Sequence, residues 1–369
     1  MTQPIPETSR PSNSFDQILR RVFTPDLAST LGSIVLAMIV GAGLIALRGV
    51  NLLLAYQALF DGAFGNLNSI AESLIVATPL ALAGIGVTIA FRAGVFNVGA
   101  EGQLYIGAIA STYVGLTFAN LPGYLLIPLM MLTAMLAGGL WAGIAGLLKV
   151  WMGASEMINT IMLNYIATFL VSYLVHGPLQ EPGSPLGQTA MLPAQAWLVH
   201  ILPRTRLHAG LIIAVIISII AAVVLWRTTW GFHIRVVGKN PIAAQAAGIQ
   251  VNWILLSALM ASGALAGLAG YGEAAGPQHR MIEYISPGYG YTAIVVALLG
   301  QLNPLGVLAA AILFGGLEVG ATTMESAVGV PSAVVTVIQY LIVLFLIGRG
   351  AFDLIRQKLH REKKSEQRA

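Results

Sequence analysis

Gly94-Val-Phe-Asn-Val-Gly-Ala-Glu-Gly-Gln103 lies between two long apolar runs and places three glycines, an Asn, a Glu and a Gln where hydrocarbon should surround the chain. Whether this stretch is a loop in water or a break inside a bilayer decides the fold. Of the 369 residues, 57% are apolar and only 9% charged, against about 25% charged in soluble domains. Apolar runs recur at the roughly 20 residues that a helix needs to cross a hydrocarbon core of about 30 Å. The alternating ten-residue pattern of a barrel strand is absent. The expected fold is therefore an all-α polytopic membrane protein. With no cysteine, disulfides, thiolate metal sites and cysteine nucleophiles are excluded.

The runs predict ten membrane segments, at 27–47, 69–91, 98–117, 123–148, 157–175, 208–226, 252–271, 290–301, 304–323 and 332–348. The stretch 51–64 has apolar residues at helical spacing but is interrupted by Gln57 and Asp61, so it is expected at the membrane surface. Residues 1–26 form a tail in which Phe15-Asp-Gln-Ile-Leu-Arg-Arg-Val-Phe23 reads as a short amphipathic helix; no apolar core with a cleavage site follows, so the first run is expected to be retained. With both termini in the cytoplasm, fifteen of the nineteen Lys and Arg fall on the inner side and only Arg48, Arg204, Arg206 and Arg280 outside. That is the bias expected of inner loops, and it assigns the net charge of +4 to orientation and not to nucleic acid. The membrane body would span 27–348, with a basic tail at 349–369.

Two loops stand apart. The outer one, 176–207, holds five prolines and suits a structured cap. The inner one, 227–250, carries helix punctuation: Asn240 as N-cap, Pro241 at the first helical position, and Gly248 where a left-handed residue ends a helix. Between them lies a small Ala-rich helix with cations at its rim, a form suited to docking or, equally, to a simple linker.

Three stretches together resemble a known family. They are Phe91-Arg-Ala-Gly-Val-Phe-Asn-Val-Gly-Ala-Glu-Gly-Gln-Leu-Tyr-Ile-Gly107, Val237-Gly-Lys-Asn-Pro-Ile-Ala-Ala-Gln-Ala-Ala-Gly-Ile249 and Ala297-Leu-Leu-Gly-Gln-Leu-Asn-Pro-Leu-Gly306. In order and spacing they are similar to the inner-membrane permease subunits of bacterial ATP-binding-cassette (ABC) importers, in the branch of ribose-type sugar and nucleoside systems, and most of all to nucleoside permeases that work with basic-membrane-protein lipoproteins. The resemblance implies that the helix at 241–247 couples to an ATPase subunit, through Lys239, Asn240, Pro241, Ala243, Ala244, Ala247 and Gly248. It implies a second, different permease chain, an external lipoprotein receptor, a small-molecule substrate, surrounding lipid, and Mg-ATP held by the ATPase and not by this chain. No phosphate-cradling Gly-x-x-x-x-Gly-Lys-Ser/Thr loop occurs here, so the chain is not expected to be an enzyme or to hold a metal or cofactor.

Irregular backbone at membrane depth is tolerated only where protein or water shields it. Gly94, Gly99 and Gly102 therefore read as a hinge in a broken or re-entrant entry to the third segment. A buried carboxylate there costs on the order of 2.5–3.5 kcal/mol on insertion scales, so Glu101 is a gate or pathway candidate, with helix capping as the alternative. Asn97, Gln103, Tyr105, Glu72, Asn164, Gln301, Asn303 and Glu318 are further pathway candidates, each of which would equally serve as an interhelical hydrogen-bonding group. An ion-coupled transporter using Glu72, Glu101 and Glu318 is the rival reading. A membrane enzyme lacks any matching His or paired-carboxylate signature.

Overall fold

The computed structural model describes residues 25–348. The expected amphipathic helix at 15–23 and the basic tail at 349–369 lie outside them. Helix α1 spans Pro25–Ala46, α2 Leu52–Phe64, α3 Leu67–Arg92, α4 Ala100–Thr117, α5 Gly123–Met152 and α6 Glu156–Val175. After the long loop come α7 Gly210–Arg227, α8 Thr229–Lys239, α9 Pro241–Ala246, α10 Val251–Ala275, α11 Tyr289–Leu299, α12 Pro304–Val328 and α13 Ala333–Gly348. Each expected segment is met by a helix. Six of these, among the described residues, are long and apolar enough to cross a bilayer; α1, α11 and α13 qualify only as shorter apolar helices and α4 falls in neither group, so six spans stand in place of the expected ten.

The chain divides into two compact units, one made of residues 45–336 and one that, within the described residues, pairs 25–44 with 337–348. In the larger unit, burial separates central from peripheral helices. Of the apolar window of α3, 83% is buried, whereas for α6 and α7 the figure is 28%. α6 and α7 thus carry the open apolar faces of this unit, and α3 is its central strut.

Small residues set the closest crossings. A methyl group on Gly138 of α5 would lie 2.9 Å from the Gly267 Cα of α10, so these two backbones touch through their glycines, as in membrane bundles that lack a hydrophobic drive between helices. Helix α2 is not a free surface segment: it buries Ala55, Leu59, Gly62 and Ala63 against α12 and α3, and the Ser73 hydroxyl of α3 donates to the Ala63 carbonyl at 2.8 Å.

The long loop 176–207 is pinned to residues 275–283. Thr189 N donates to Met281 O at 2.9 Å, Leu192 N to His279 O at 2.8 Å and Leu198 N to Ala275 O at 3.0 Å. Trp197 stacks on His279 at 4.0 Å, and Arg280 pairs with Glu181 at 2.9 Å. Burial pushes the His279 imidazole below its ordinary value and, with His200 and His279 nearby, drives His208 down to about 4.

Candidate functional site

Helix α3 ends at Arg92, and the chain reverses at Gly94, whose φ of 80° only glycine adopts cheaply. The reversal sits against α8, since a Cβ on Gly94 would lie 3.3 Å from the Gly238 Cα. Residues 95–98 then return irregularly along α10 until α4 begins at Ala100. Val95 and Asn97 of this stretch are buried, Val98 is half-buried, and Gly94 and Phe96 are exposed.

Side chains of the break satisfy it internally. Asn97, fully buried, donates to Gln103 Oε1 and to Ser262 Oγ of α10, both at 2.8 Å. Its Oδ1 accepts from Gly99 N at 3.0 Å and from Gln103 Nε2 at 2.9 Å. The two amides thus form a closed pair at the start of α4. Asn164 of α6 clamps the same region: its Oδ1 accepts from Gly102 N at 2.8 Å, and its Nδ2 donates to Val98 O at 2.9 Å and to the Tyr291 hydroxyl at 3.1 Å. A methyl group on Gly102 would fall 2.8 Å from the Asn164 Cα.

Glu101 faces a second discontinuity. Loop 276–288 descends to the start of α11, where the Gly290 amide donates to Glu101 Oε2 at 2.6 Å, with Ser286 and Gly288 close beside this carboxylate. Tyr105 reaches the same loop by donating to Ser286 O at 3.3 Å. The carboxylate therefore caps the N-terminus of a neighbouring helix, where the dipole and free amides favour negative charge. Two interrupted elements, 93–99 and 276–288, meet here with Asn97, Glu101, Gln103, Tyr105, Asn164 and Tyr291 around the junction.

The remaining candidates lie elsewhere. Arg206 of the long loop grips Glu72 through two hydrogen bonds, at 3.0 and 2.7 Å, and this hydrogen-bonded partner raises the Arg206 value. Gln301 sits in the turn between α11 and α12, where it and Leu302 have φ of 56° and 53°; Arg92 holds that turn by donating to Leu302 O at 2.9 Å and Gln301 O at 3.3 Å. Asn303 caps α12 by accepting from Leu305 N at 3.1 Å. Glu318 is half-buried on α12, within electrostatic reach of Tyr289.

The punctuation at 240–248 has the expected geometry. Asn240 Oδ1 accepts from Ala243 N at 3.0 Å, Pro241 opens α9, Ala247 is the C-cap and Gly248 has φ of 82°. Lys239 ends α8. Ala243 is exposed, Ala244 is buried toward the bundle, and the outward face of α9 is led by Ile242, 80% exposed.

Ser262, Ser286, Gly290, Tyr291 and Arg92 were not among the residues singled out from sequence. For Ser286, Gly290 and Tyr291 the one local signal is Ser286-Pro-Gly-Tyr-Gly-Tyr291, in which Pro and alternating Gly mark a break before an apolar run. Among the described residues no group of His, Asp and Glu is arranged to hold a metal. The junction offers neutral amides, hydroxyls and one engaged carboxylate, a chemistry that holds irregular backbone.

A family model described as branched-chain amino acid transport system / permease component matches residues 69–347. The chain belongs to this permease family. The guanosine ABC transporter permease protein NupP of Bacillus subtilis is 37% identical over 334 residues, covering 89% of this permease and 95% of the relative. The nucleoside ABC transporter permease protein NupB of Lactococcus lactis is 34% identical, covering 94% and 96%, and the glucose ABC transporter permease protein TsgB13 of Haloferax volcanii 39% identical, covering 86% and 85%. The permease is thus a multi-pass ABC transport component.

Proposed function

We propose that this permease subunit carries nucleosides across the bacterial cytoplasmic membrane as part of an ATP-driven importer working by alternating access. The observation that carries the substrate class is the near-full-length likeness to the guanosine and nucleoside permeases. A junction of amides, hydroxyls and Tyr side chains, its one carboxylate engaged by the Gly290 amide, suits hydroxyl-rich, ring-bearing substrates without net charge.

The face bearing Arg92, Arg227 and Lys239 is the cytoplasmic one on the positive-inside pattern. Helix α9 then presents Ile242 to a separate ATPase subunit that binds Mg-ATP, while a second permease chain and an external receptor complete the assembly. Motion at α9 passes through α8 to Gly238, which abuts the Gly94 reversal, and to the turn held by Arg92. Both lead to the Glu101 junction. Differential contacts there in the two states must supply the switching energy.

A sugar substrate is the second reading, favoured by the glucose permease of Haloferax volcanii at 39% identity. Reconstitution with copurifying partners and uptake of radiolabelled adenosine, guanosine, ribose and glucose separates the two. ATP-dependent nucleoside uptake is expected; sugar uptake alone would reassign the substrate, and gradient-driven uptake without ATP would overturn the mechanism.

A further inference from the structure

Where α3, α7 and α8 meet, a cavity of about 390 Å³ is lined by three cations, Arg92, Arg235 and Lys239, together with Trp226 and Phe232. No carboxylate lines it. Both guanidinium groups face one indole, with Arg92 Cζ 5.1 Å and Arg235 Cζ 4.6 Å from the Trp226 ring centroid. The ring's negative face attracts each cation, but two like charges share it. The carbonyls that Arg92 and Arg235 reach, Gln301 O, Leu302 O and Gly231 O, are neutral. Among the described residues the ion pairs engage Lys149, His176, Arg206 and Arg280, and none of the three cavity cations. The cavity concentrates positive charge without an internal counter-charge.

We propose that this cavity holds the phosphate of an anionic phospholipid. Two further observations favour a lipid over a soluble phosphate. The site lies at the end of α7, a helix apolar enough to span a bilayer, and its aromatic rim is open, Trp226 being 42% and Phe232 52% exposed. Ile216, Ile219 and Val223, each about half exposed, precede Trp226 at intervals of three and four residues and so form one helix face leading away from the cavity. Acyl chains laid along that stripe would place a headgroup among the cations, the arrangement by which basic pockets between spanning helices take anionic lipid. The proposal rests on reading α7 as a bilayer span and is independent of the transported substrate.

The test uses the full-length chain in its purified transporter assembly, incorporated in nanodiscs of equal phosphatidylethanolamine and phosphatidylglycerol. Lipids retained on gentle extraction are counted by native mass spectrometry. The unmodified protein should retain phosphatidylglycerol in preference, and the double variant Arg235→Gln, Lys239→Gln should lose that preference by about tenfold or more, two cations being removed. Arg235→Lys with Lys239→Arg should keep it, which separates loss of charge from loss of fold. Lys149→Gln, at a pair with Glu156 of 2.6 Å outside the cavity, should also keep it. Equal retention in the Gln double variant would overturn the proposal. So would displacement of the lipid by soluble glycerol phosphate that is itself retained, which would make the site one for free phosphate. Preference in the isolated chain that vanishes in the assembly would assign the cations to a partner's carboxylates instead, and would likewise sink the lipid.

Discussion

The Glu101 carboxylate and the Gly290 amide, 189 residues apart in the chain, meet at 2.6 Å. The contact joins the first turn of α4 to the first turn of α11, each following an irregular stretch. It also explains how a carboxylate persists inside an apolar bundle: its cost is offset by amide donors at a helix N-terminus.

Removing that acceptor should therefore be costly. Glu101→Ala leaves the buried Gly290 amide without its acceptor, at about 1–3 kcal/mol, and should lower both the unfolding temperature and uptake. Glu101→Gln keeps one acceptor oxygen and should fall between. Gly290→Ala tests the same junction sterically, since its methyl group would sit 2.7 Å from the Ala100 carbonyl carbon. Normal uptake by Glu101→Ala would remove the junction from the transport path.

Asn164 is an asymmetric case, because it accepts from Gly102 N and donates to Val98 O and Tyr291 Oη. Asn164→Asp preserves the acceptor but opposes a carboxylate to the Val98 carbonyl, and Asn164→Ala removes everything. Both should destabilise, by a few kcal/mol, and the Asp variant should recover as pH falls and the introduced carboxyl gains a donor proton. Thermal unfolding at two pH values reads this out; an Asp variant indifferent to pH would exclude the donor role.

What sequence revealed and what it hid divide by range. The edges of α3 were legible to within two residues, 69–91 against Leu67–Arg92, because an apolar run of that length has few alternatives. The caps at Asn240, Pro241 and Gly248 were legible because capping is a contact over three residues or fewer. Partner choice was not. Nothing local says that Glu72 is bound by Arg206, 134 residues away. The same holds for the side of α9 that turns inward: a two-turn helix of alanine has too weak an apolar stripe to reveal it, and only packing assigns Ala244 to the buried side.

Stability should depend on pH through His208. Its buried imidazole is pushed from 6.5 down to about 4, and its Nδ1 accepts from Gly210 N at 3.2 Å. Above pH 6.5 folded and unfolded forms are both neutral and the full stability is present. As pH falls from 6.5 toward 4 the unfolded chain takes up a proton that the folded one refuses, so stability declines, by about 3 kcal/mol over the window. His208→Asn retains an acceptor but cannot titrate, and its unfolding temperature should vary less between pH 7.5 and 5. An identical acid dependence in both proteins would clear His208 of the effect.

Coupling through α9 predicts different consequences for two neighbouring residues. Ile242 is 80% exposed and contributes little to the bundle, so Ile242→Asp should leave insertion and unfolding temperature nearly unchanged, within about 0.5 kcal/mol. If α9 docks on an ATPase, the same change places a charge in an apolar contact and should abolish both uptake and substrate-stimulated ATP hydrolysis. Ala244 is fully buried, so Ala244→Trp forces a ring into packed space and should first destabilise the 227–250 loop by about 1–3 kcal/mol; a transport loss there would not by itself report docking. The decisive comparison is ATPase rate and unfolding temperature measured on both variants in the assembled transporter. An Ile242→Asp protein that folds, assembles and transports normally would separate α9 from energy coupling, whatever Ala244→Trp does.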